Sequence, residues 1–184
     1  MGTTLEREVK LRFETADAAR AAIEATGATP LRARRLQEDY LLDDAQETLR
    51  NRRCVLRIRI ESGRSFVTFK GPVQPSRMKL REEIETVVGD GVTLLRCFEH
   101  LGYQVWFRYQ KYREEYALGD VTVTVDETPV GVFVELEGGE QGIADAARAL
   151  GRTADQYVLD SYRMLFMDHR RAHGLPDTDM LFEA

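Results

Sequence analysis

The feature that most constrains the fold is a strand pattern with one wholly ionic face. Residues 6–13 read EREVKLRF. Because successive side chains of a strand point to opposite faces, one face of this segment carries Glu6, Glu8, Lys10 and Arg12 and the other is mainly apolar. Taken alone, such a segment indicates a solvated edge strand. The pattern returns along the chain, however, and this repetition requires another explanation.

Alternating hydrophobicity and turn residues predict further strands, most of which also pair an apolar face with a charged one. These strands are residues 34–42, 54–61, 65–70, 78–88, 104–116, 121–126 and 131–137. The acids in the charged rows are Glu6, Glu8, Glu83, Glu85, Asp126, Glu135 and Glu137. The bases are Lys10, Arg12, Arg57, Arg59, Lys70, Arg81, Lys111 and Arg113.

The segments between the strands complete a single predicted domain over residues 1–173. Helical periodicity, capping residues and terminal glycines predict helices at 15–26, 91–101, 143–150 and 161–173. The polar segment 43–53 is predicted to be a mobile loop near a functional opening. Residues 174–184 are predicted to form a loose C-terminal tail.

The charged rows need a common place in the fold. Strands dominate this prediction, and short turns make consecutive strands antiparallel. The helices can cover the apolar faces, so the charged faces must meet either water or a shared interior. A sheet of about eight strands that closes into a barrel can enclose a polar interior. The predicted fold class is therefore α+β, an eight-stranded antiparallel β-barrel with helices packed on the outside.

The composition of such an interior predicts its ligand. Burying ionised side chains without partners is costly, so the rows imply a highly charged ligand. Arginine and lysine suit a chain of phosphates, whereas the carboxylates would repel that chain unless divalent cations lay between them. Mg²⁺ and Mn²⁺ prefer such oxygen ligands. The interior is therefore predicted to be a metal-dependent triphosphate or polyphosphate site.

Composition also limits the partners and the location. The 184-residue chain has a net charge of -5, which argues against binding to duplex nucleic acid, since that binding requires a basic excess. Neither a membrane span nor a signal peptide is predicted, so we expect no membrane partner and a cytoplasmic location. Cys54 and Cys97 have no metal-binding spacing and are interpreted as reduced structural thiols.

The motifs also resemble a known family. Glu6-x-Glu8-x-Lys10 resembles the ExExK signature of the CYTH superfamily, the triphosphate tunnel metalloenzymes. The resemblance continues in order through LRIR at 56–59, TFKGP at 68–72, REEIE at 81–85, KYR at 111–113, Asp126, GVFVELE at 131–137 and SY at 161–162. It covers about residues 5–166 and is closest in pattern to the class IV adenylyl cyclase branch. The superfamily also includes thiamine triphosphatases and inorganic triphosphatases.

The resemblance implies an eight-stranded antiparallel tunnel, a possible homodimer and a role for each charged residue. The leading metal ligands would be Glu6, Glu8, Glu135 and Glu137, with Asp126 as a helper. Phosphate oxygens would be held by Lys10, Arg57, Arg59, Lys70, Lys111 and Arg113, with Arg81 either joining them or pairing with a carboxylate. Glu83 and Glu85 would contact a second metal or position basic side chains. Glu8 and Lys10 are the predicted catalytic residues, Lys10 as a base if nearby cations lower its pKa.

Three functions follow from this site. The leading one is Mg²⁺- or Mn²⁺-dependent hydrolysis of tripolyphosphate, thiamine triphosphate or a nucleoside triphosphate. The alternative is class IV adenylyl cyclase, which converts ATP to cyclic AMP and pyrophosphate. A third is a non-catalytic sensor of polyphosphate or nucleotides. The full set of carboxylates disfavours the sensor, because binding alone needs the cations more than the acids.

Overall fold

Eight strands and five helices make up the fold, which is a computed structural model describing residues 4–183. The strands are β1 Thr4–Phe13, β2 Thr29–Asp44, β3 Val55–Glu61, β4 Arg64–Lys70, β5 Lys79–Val88, β6 Tyr103–Leu118, β7 Val121–Thr128 and β8 Gly131–Glu137. The helices are α1 Ala16–Ala25, α2 Thr48–Asn51, α3 Gly91–His100, α4 Glu140–Ala149 and α5 Tyr162–His173, with a 3₁₀ helix at Ala154–Gln156. None of the described helices is long and apolar enough to cross a membrane.

The strands form one closed barrel. Each strand pairs antiparallel with both neighbours, in the order β1-β5-β4-β3-β2-β6-β7-β8. Helices α1 and α4 pack on β1, β7 and β8, and α3 packs on β3, β4 and β6. This arrangement confirms the predicted eight-stranded antiparallel barrel with external helices.

The main apolar core lies between the barrel wall and helices α1 and α4. Val9 and Leu11 of β1 are fully buried in this core together with Ile143 of α4. Glu8 and Lys10 alternate with these two β1 residues, so they must point to the other side of the sheet. The same alternation in β8 sends its carboxylates inward. The apolar faces therefore hold the helices, and the ionic faces line the interior.

A second apolar cluster packs α5 against the barrel. It includes Phe107, Phe133, Tyr162 and Phe166, and the rings of Phe133 and Tyr162 meet edge to face at 5.5 Å between centroids. The hydroxyl of Ser161 caps α5 by accepting a hydrogen bond from the backbone three residues later. This cap and the aromatic contacts fix the first turn of α5 at the barrel wall.

The expectation of a loose tail after residue 174 is wrong for its last part. Met180 is fully buried in the second cluster. Its N–H donates to the carbonyl of Arg108 at 3.0 Å, and its carbonyl accepts from the N–H of Gln110 at 2.9 Å. An apolar side chain and two backbone hydrogen bonds therefore hold this segment against β6.

The predicted mobile loop at 43–53 is ordered instead. Strand β2 continues to Asp44, and Asp43, which is 2% exposed, accepts hydrogen bonds from the N–H groups of Leu49 and Arg50 at 2.9 Å each. This buried carboxylate satisfies the first turn of α2. No residue of the segment is among those that line the barrel cavity, and its position near a functional opening stays a prediction.

Candidate active site

The barrel encloses a cavity of about 350 Å³. In the described part of the chain, nine arginine or lysine side chains and eight glutamate side chains line it. Thirteen of the fourteen predicted site residues are among them, and the exception is Asp126. The ionic rows of separate strands therefore converge on one enclosed space.

Strand register places acids beside bases. Lys10 of β1 lies opposite Glu135 of β8, and Glu8 lies opposite Glu137. On the other side of β1, Glu8 lies opposite Lys79 of β5. Residues opposite one another share a face of the sheet. Lys10 Nζ is accordingly 3.2 Å from Glu8 and 3.5 Å from Glu135, and Lys79 Nζ is 2.6 Å from Glu8.

These pairs decide which groups stay charged. Burial opposes ionisation of Glu8, but Lys10 and Lys79 hold its pKa well below the ordinary value. Burial likewise opposes protonation of Lys10, yet Glu8 and Glu135 raise its pKa. The condition under which Lys10 would act as a base, a lowered pKa, is therefore not met. These pairs therefore favour the charged forms of both Glu8 and Lys10.

The two arginines of β3 are held by a carboxylate that the sequence prediction missed. Asp39 of β2 is 1% exposed. Its Oδ1 is 2.9 Å from Nε of Arg59 and 3.4 Å from Nε of Arg57, and its Oδ2 accepts from Arg59 at 3.2 Å. Burial opposes its ionisation, but the arginines lower its pKa. The alternation of Arg35, Gln37 and Asp39 in β2 is the sequence signal that would have identified this inward row.

Lys70 and Arg81 lie among the acids on β1 and β5. Lys70 Nζ is 3.0 Å from Glu6 and 2.5 Å from Glu83, and Arg81 Nε is 3.4 Å from Glu6. Glu85 accepts from Arg57 at 3.3 Å. Glu83 and Glu85 thus position basic side chains in this structure, which is one of the two roles predicted for them.

Asp126 lies behind the cavity wall. It is fully buried, and its oxygens accept from Arg113 Nε at 2.7 Å, from Lys111 Nζ at 2.8 Å and from the hydroxyl of Tyr162 at 2.7 Å. Arg113 also pairs with Glu135. Both Asp126 oxygens are engaged by side chains that themselves line the cavity, and its role as a helper metal ligand stays a prediction. Burial and Arg113 lower the pKa of Lys111 to about 8.

A second group that sequence reasoning missed surrounds Glu61 of β3. Glu61 is 2% exposed and accepts from Arg32 at 2.5 Å, from Arg35 at 3.1 Å and from the amide of Gln37 at 2.5 Å. Arg35 also pairs with Glu115. Burial opposes ionisation, but Gln37, Arg32 and Arg35 lower the pKa of Glu61 to about 2. This corner of the cavity is therefore closed by its own ion pairs.

The remaining carboxylates fit a divalent cation in their chemistry. Among residues 4–183, no three His, Cys, Asp or Glu side chains already stand at ligand distances from one point, since basic groups hold most of the acids. Burial and a hydrogen bond with Glu83 nevertheless raise the pKa of Glu6. Burial and the neighbouring Glu6 and Glu8 raise the pKa of Glu137 to about 7. Oxygen donors that disfavour one another's ionisation are stabilised by a hard cation between them.

Comparison with known proteins identifies the family. The CYTH domain profile matches residues 4–160. The chain belongs to the CYTH family. This confirms the family resemblance seen in the charged motifs. The CYTH match contains all eight strands, whereas Ser161 and Tyr162, which also line the cavity, lie just beyond it.

Individual relatives of this CYTH protein agree with the assignment. A protein of Methanocaldococcus jannaschii named "Putative adenylate cyclase MJ0240" is 29% identical over 147 residues, covering 79% of this chain and 83% of the relative. The structure of the PH1819 protein of Pyrococcus horikoshii is 27% identical with a TM-score of 0.74, covering 90% of this chain and 99% of that chain.

A third relative is only 18% identical to this chain, so the comparison with it supports the fold and nothing further. The structure of HpAC1 from Hippeastrum has a TM-score of 0.65 and covers 89% of this chain and 96% of that chain. That protein is named "Putative adenylyl cyclase HpAC1" and is described as having a dominant triphosphatase activity. The names of two relatives thus refer to adenylate cyclase, and the description of one of them adds triphosphatase activity.

Proposed function

We propose that this CYTH protein is a metal-dependent hydrolase of a triphosphate bound inside the barrel. One observation carries the proposal: nine cationic and eight acidic side chains of the described residues line one cavity of about 350 Å³. A surplus of one positive charge does not neutralise a triphosphate, which carries several negative charges. Divalent cations between the carboxylates and the phosphates would supply the missing positive charge.

The carboxylates divide into two roles in this proposal. Mg²⁺ or Mn²⁺ would be held by Glu6, Glu8, Glu135 and Glu137, with Glu83 and Glu85 available to a second ion. When bound, such an ion neutralises charge on the phosphates and lowers the pKa of a water that it coordinates. Asp126 instead positions Lys111 and Arg113, because its oxygens already accept hydrogen bonds from them.

The basic residues would bind and orient the phosphates. Arg57 and Arg59 offer forked donors whose direction is fixed by Asp39 behind them. Positioning and electrostatic stabilisation account for most of the acceleration of phosphoryl transfer. Lys111, with its pKa lowered to about 8, is better suited than Lys10 to take a proton from the attacking water at Nζ.

The proposal is tested by comparing two cavity variants, one that removes an acid and one that removes a base. With tripolyphosphate and Mg²⁺, Glu8→Gln should lower turnover by about 10²-fold or more, as expected for lost electrostatic stabilisation of the transition state. Arg59→Ala should mainly weaken substrate binding, by about tenfold. Glu99→Gln, at an exposed position on α3, is the matched control and should leave both unchanged. Equal and mild losses in the two cavity variants would count against the metal role of the acids.

A class IV adenylyl cyclase is the second candidate. It is favoured by the name of the Methanocaldococcus jannaschii relative, and Phe66 in the cavity lining offers a flat surface for a nucleobase. The two reactions give different products. Cyclic AMP and inorganic phosphate should be measured after incubation with ATP, tripolyphosphate and thiamine triphosphate. Cyclic AMP as the main product from ATP would replace the hydrolase proposal.

A non-catalytic sensor is distinguished by the same assay. It would bind a triphosphate tightly and release neither product with any divalent cation. The carboxylates disfavour this reading, because an anion sensor gains nothing from eight acids in its binding cavity.

A further inference from the structure

A second cavity lies outside the barrel, where α2 and α5 meet β6. Its volume is about 440 Å³, and its lining includes Arg50, Trp106, Arg163 and Arg170. The described residues that line it are all different from those that line the barrel cavity. The two spaces are therefore separate, and nothing in the proposed hydrolysis uses the outer one.

Trp106 organises this outer pocket. The pairing of β2 with β6 shifts register at this position, so that Trp106 is passed over between two paired neighbours. Such irregularities redirect a side chain away from the regular alternation. The guanidinium of Arg50 lies 4.5 Å from the centre of the indole ring, and that of Arg163 lies 4.6 Å from it. Attraction to the ring thus holds two cations from separate helices at one place.

The arginines of the pocket differ in how they are neutralised. Arg50 pairs with Asp43 at 3.3 Å and with Glu47 at 2.9 Å. Arg170 pairs with Asp177, although its buried Nε has no hydrogen-bond partner. Within residues 4–183, Arg163 lies within 4.0 Å of no carboxylate oxygen. The pocket therefore contains a guanidinium whose charge is not matched.

The surroundings of Arg163 strengthen this conclusion. Its side chain is half-buried beside two other arginines. Burial, Arg50 and Arg170 lower the pKa of Arg163, and Asp177 opposes this effect only in part. A partly desolvated cation in this environment is stabilised by an anion. Guanidinium groups offer forked donors that match the oxygens of phosphate.

We propose that the outer pocket binds a phosphate-bearing anion through Arg163 and Arg50. Orthophosphate and pyrophosphate share the required chemistry, and separate titrations distinguish them. The site requires no metal, because three arginines line it and its two carboxylates already have basic partners: Asp177 pairs with Arg170, and Asp179 pairs with Arg108. The proposal does not depend on the reaction performed in the barrel.

The chain provides its own reporter for this site. Trp106 is the one tryptophan in the sequence, so its fluorescence can be followed while metal-free protein is titrated with orthophosphate or pyrophosphate at constant ionic strength. We expect a saturable change. In Arg163→Gln the apparent affinity should fall by about tenfold or more, as expected for a lost charge-assisted contact. Arg163→Lys keeps the positive charge but lacks the paired N–H donors of a guanidinium, so it should bind with intermediate affinity.

Two matched variants separate the site from other effects. Arg171→Gln changes an arginine on the same helix whose side chain is 74% exposed and pairs with Asp168, so it should titrate as the wild type does. Arg59→Ala perturbs the barrel cavity and should leave the Trp106 signal unchanged. Should Arg163→Gln melt at a much lower temperature than the wild type, Arg50→Gln serves as the second test of the same pocket.

Three results would overturn the proposal. One is a negative result in both titrations: the fluorescence shows no saturable change, and calorimetry shows no binding heat that depends on Arg163. Another is a change that is abolished by Arg59→Ala and kept in Arg163→Gln, since the signal would then come from the barrel. The third is an equal response to sulfate, which would contradict the assignment to phosphate. Failure of the hydrolysis assays would leave these titrations unaffected.

Discussion

Replacing Glu61 by glutamine removes a buried charge that holds two arginines in the barrel wall. The pKa of Glu61 is lowered from its ordinary value of 4.5 to about 2, because Gln37, Arg32 and Arg35 outweigh the opposing effect of burial. A difference of one in pKa corresponds to about 1.4 kcal/mol. The ionised form of Glu61 therefore contributes roughly 3 kcal/mol to the free energy of unfolding.

The sign of the pH dependence follows from the lowered pKa. The contribution is present above pH 4.5, the ordinary pKa, and is lost as the pH falls through about 2. Glu61→Gln should therefore unfold with a free energy roughly 3 kcal/mol smaller at pH 7, which corresponds to a melting temperature roughly 6–12 °C lower. The difference from the wild type should shrink as the pH is lowered.

Urea unfolding at pH 7, 5 and 3 measures this difference directly. Glu99→Gln, in which an exposed glutamate of α3 is changed, is the control and should match the wild type at each pH. The reasoning is refuted if Glu61→Gln is as stable as the wild type at pH 7. It is also refuted if the two differ by the same free energy at every pH.

Three further predictions concern the cavity. Asp39→Asn should weaken tripolyphosphate binding about tenfold by calorimetry, because Arg57 and Arg59 lose the carboxylate that orients them; unchanged binding would remove Asp39 from the site. Asp126→Asn should lower the melting temperature without weakening Mg²⁺ binding, because its oxygens are already engaged, and a selective loss of Mg²⁺ binding would restore it as a metal ligand. EDTA should abolish phosphate release from tripolyphosphate and added Mg²⁺ or Mn²⁺ should restore it, so full activity in EDTA would contradict metal dependence.

The barrel could be predicted from the sequence because the alternation of side chains along a strand shows which residues point to the same side of the sheet. Once Val9 and Leu11 are assigned to the helix-covered side, the placement of Glu8 and Lys10 inside the barrel follows from geometry. The same rule applied to β2 identifies Asp39, which went unrecognised because the prediction did not assign the two faces of that strand.

Alternation did not predict how deeply an inward-facing side chain is buried in the barrel wall. Alternation places Asp126 on the inward face, but it does not indicate that Arg113, Lys111 and Tyr162 lie over its oxygens. Arg113 lies opposite Asp126 in the register of β6 and β7, whereas the contact with Tyr162 depends on α5, which follows the barrel in the chain and reaches the site only through tertiary packing. The ordering of the tail by Met180 has the same origin.

The pKa of Lys10 shows a further limit of sequence reasoning. The pattern of charges along β1 gives its neighbours on one strand, whereas its pKa also depends on Glu135 across the sheet. The carboxylates outweigh the effect of burial, and the pKa of Lys10 is raised. The assignment of a proton acceptor therefore required the register of the strands.

The most direct test of the central claim is a crystal structure of the protein with Mn²⁺ and tripolyphosphate, in which the anomalous signal locates the metal. The account predicts Mn²⁺ inside the barrel, bound by carboxylates of β1 and β8, with the phosphates contacting Arg57, Arg59 and Arg113. Tripolyphosphate outside the barrel, or Mn²⁺ bound away from these carboxylates, would contradict it.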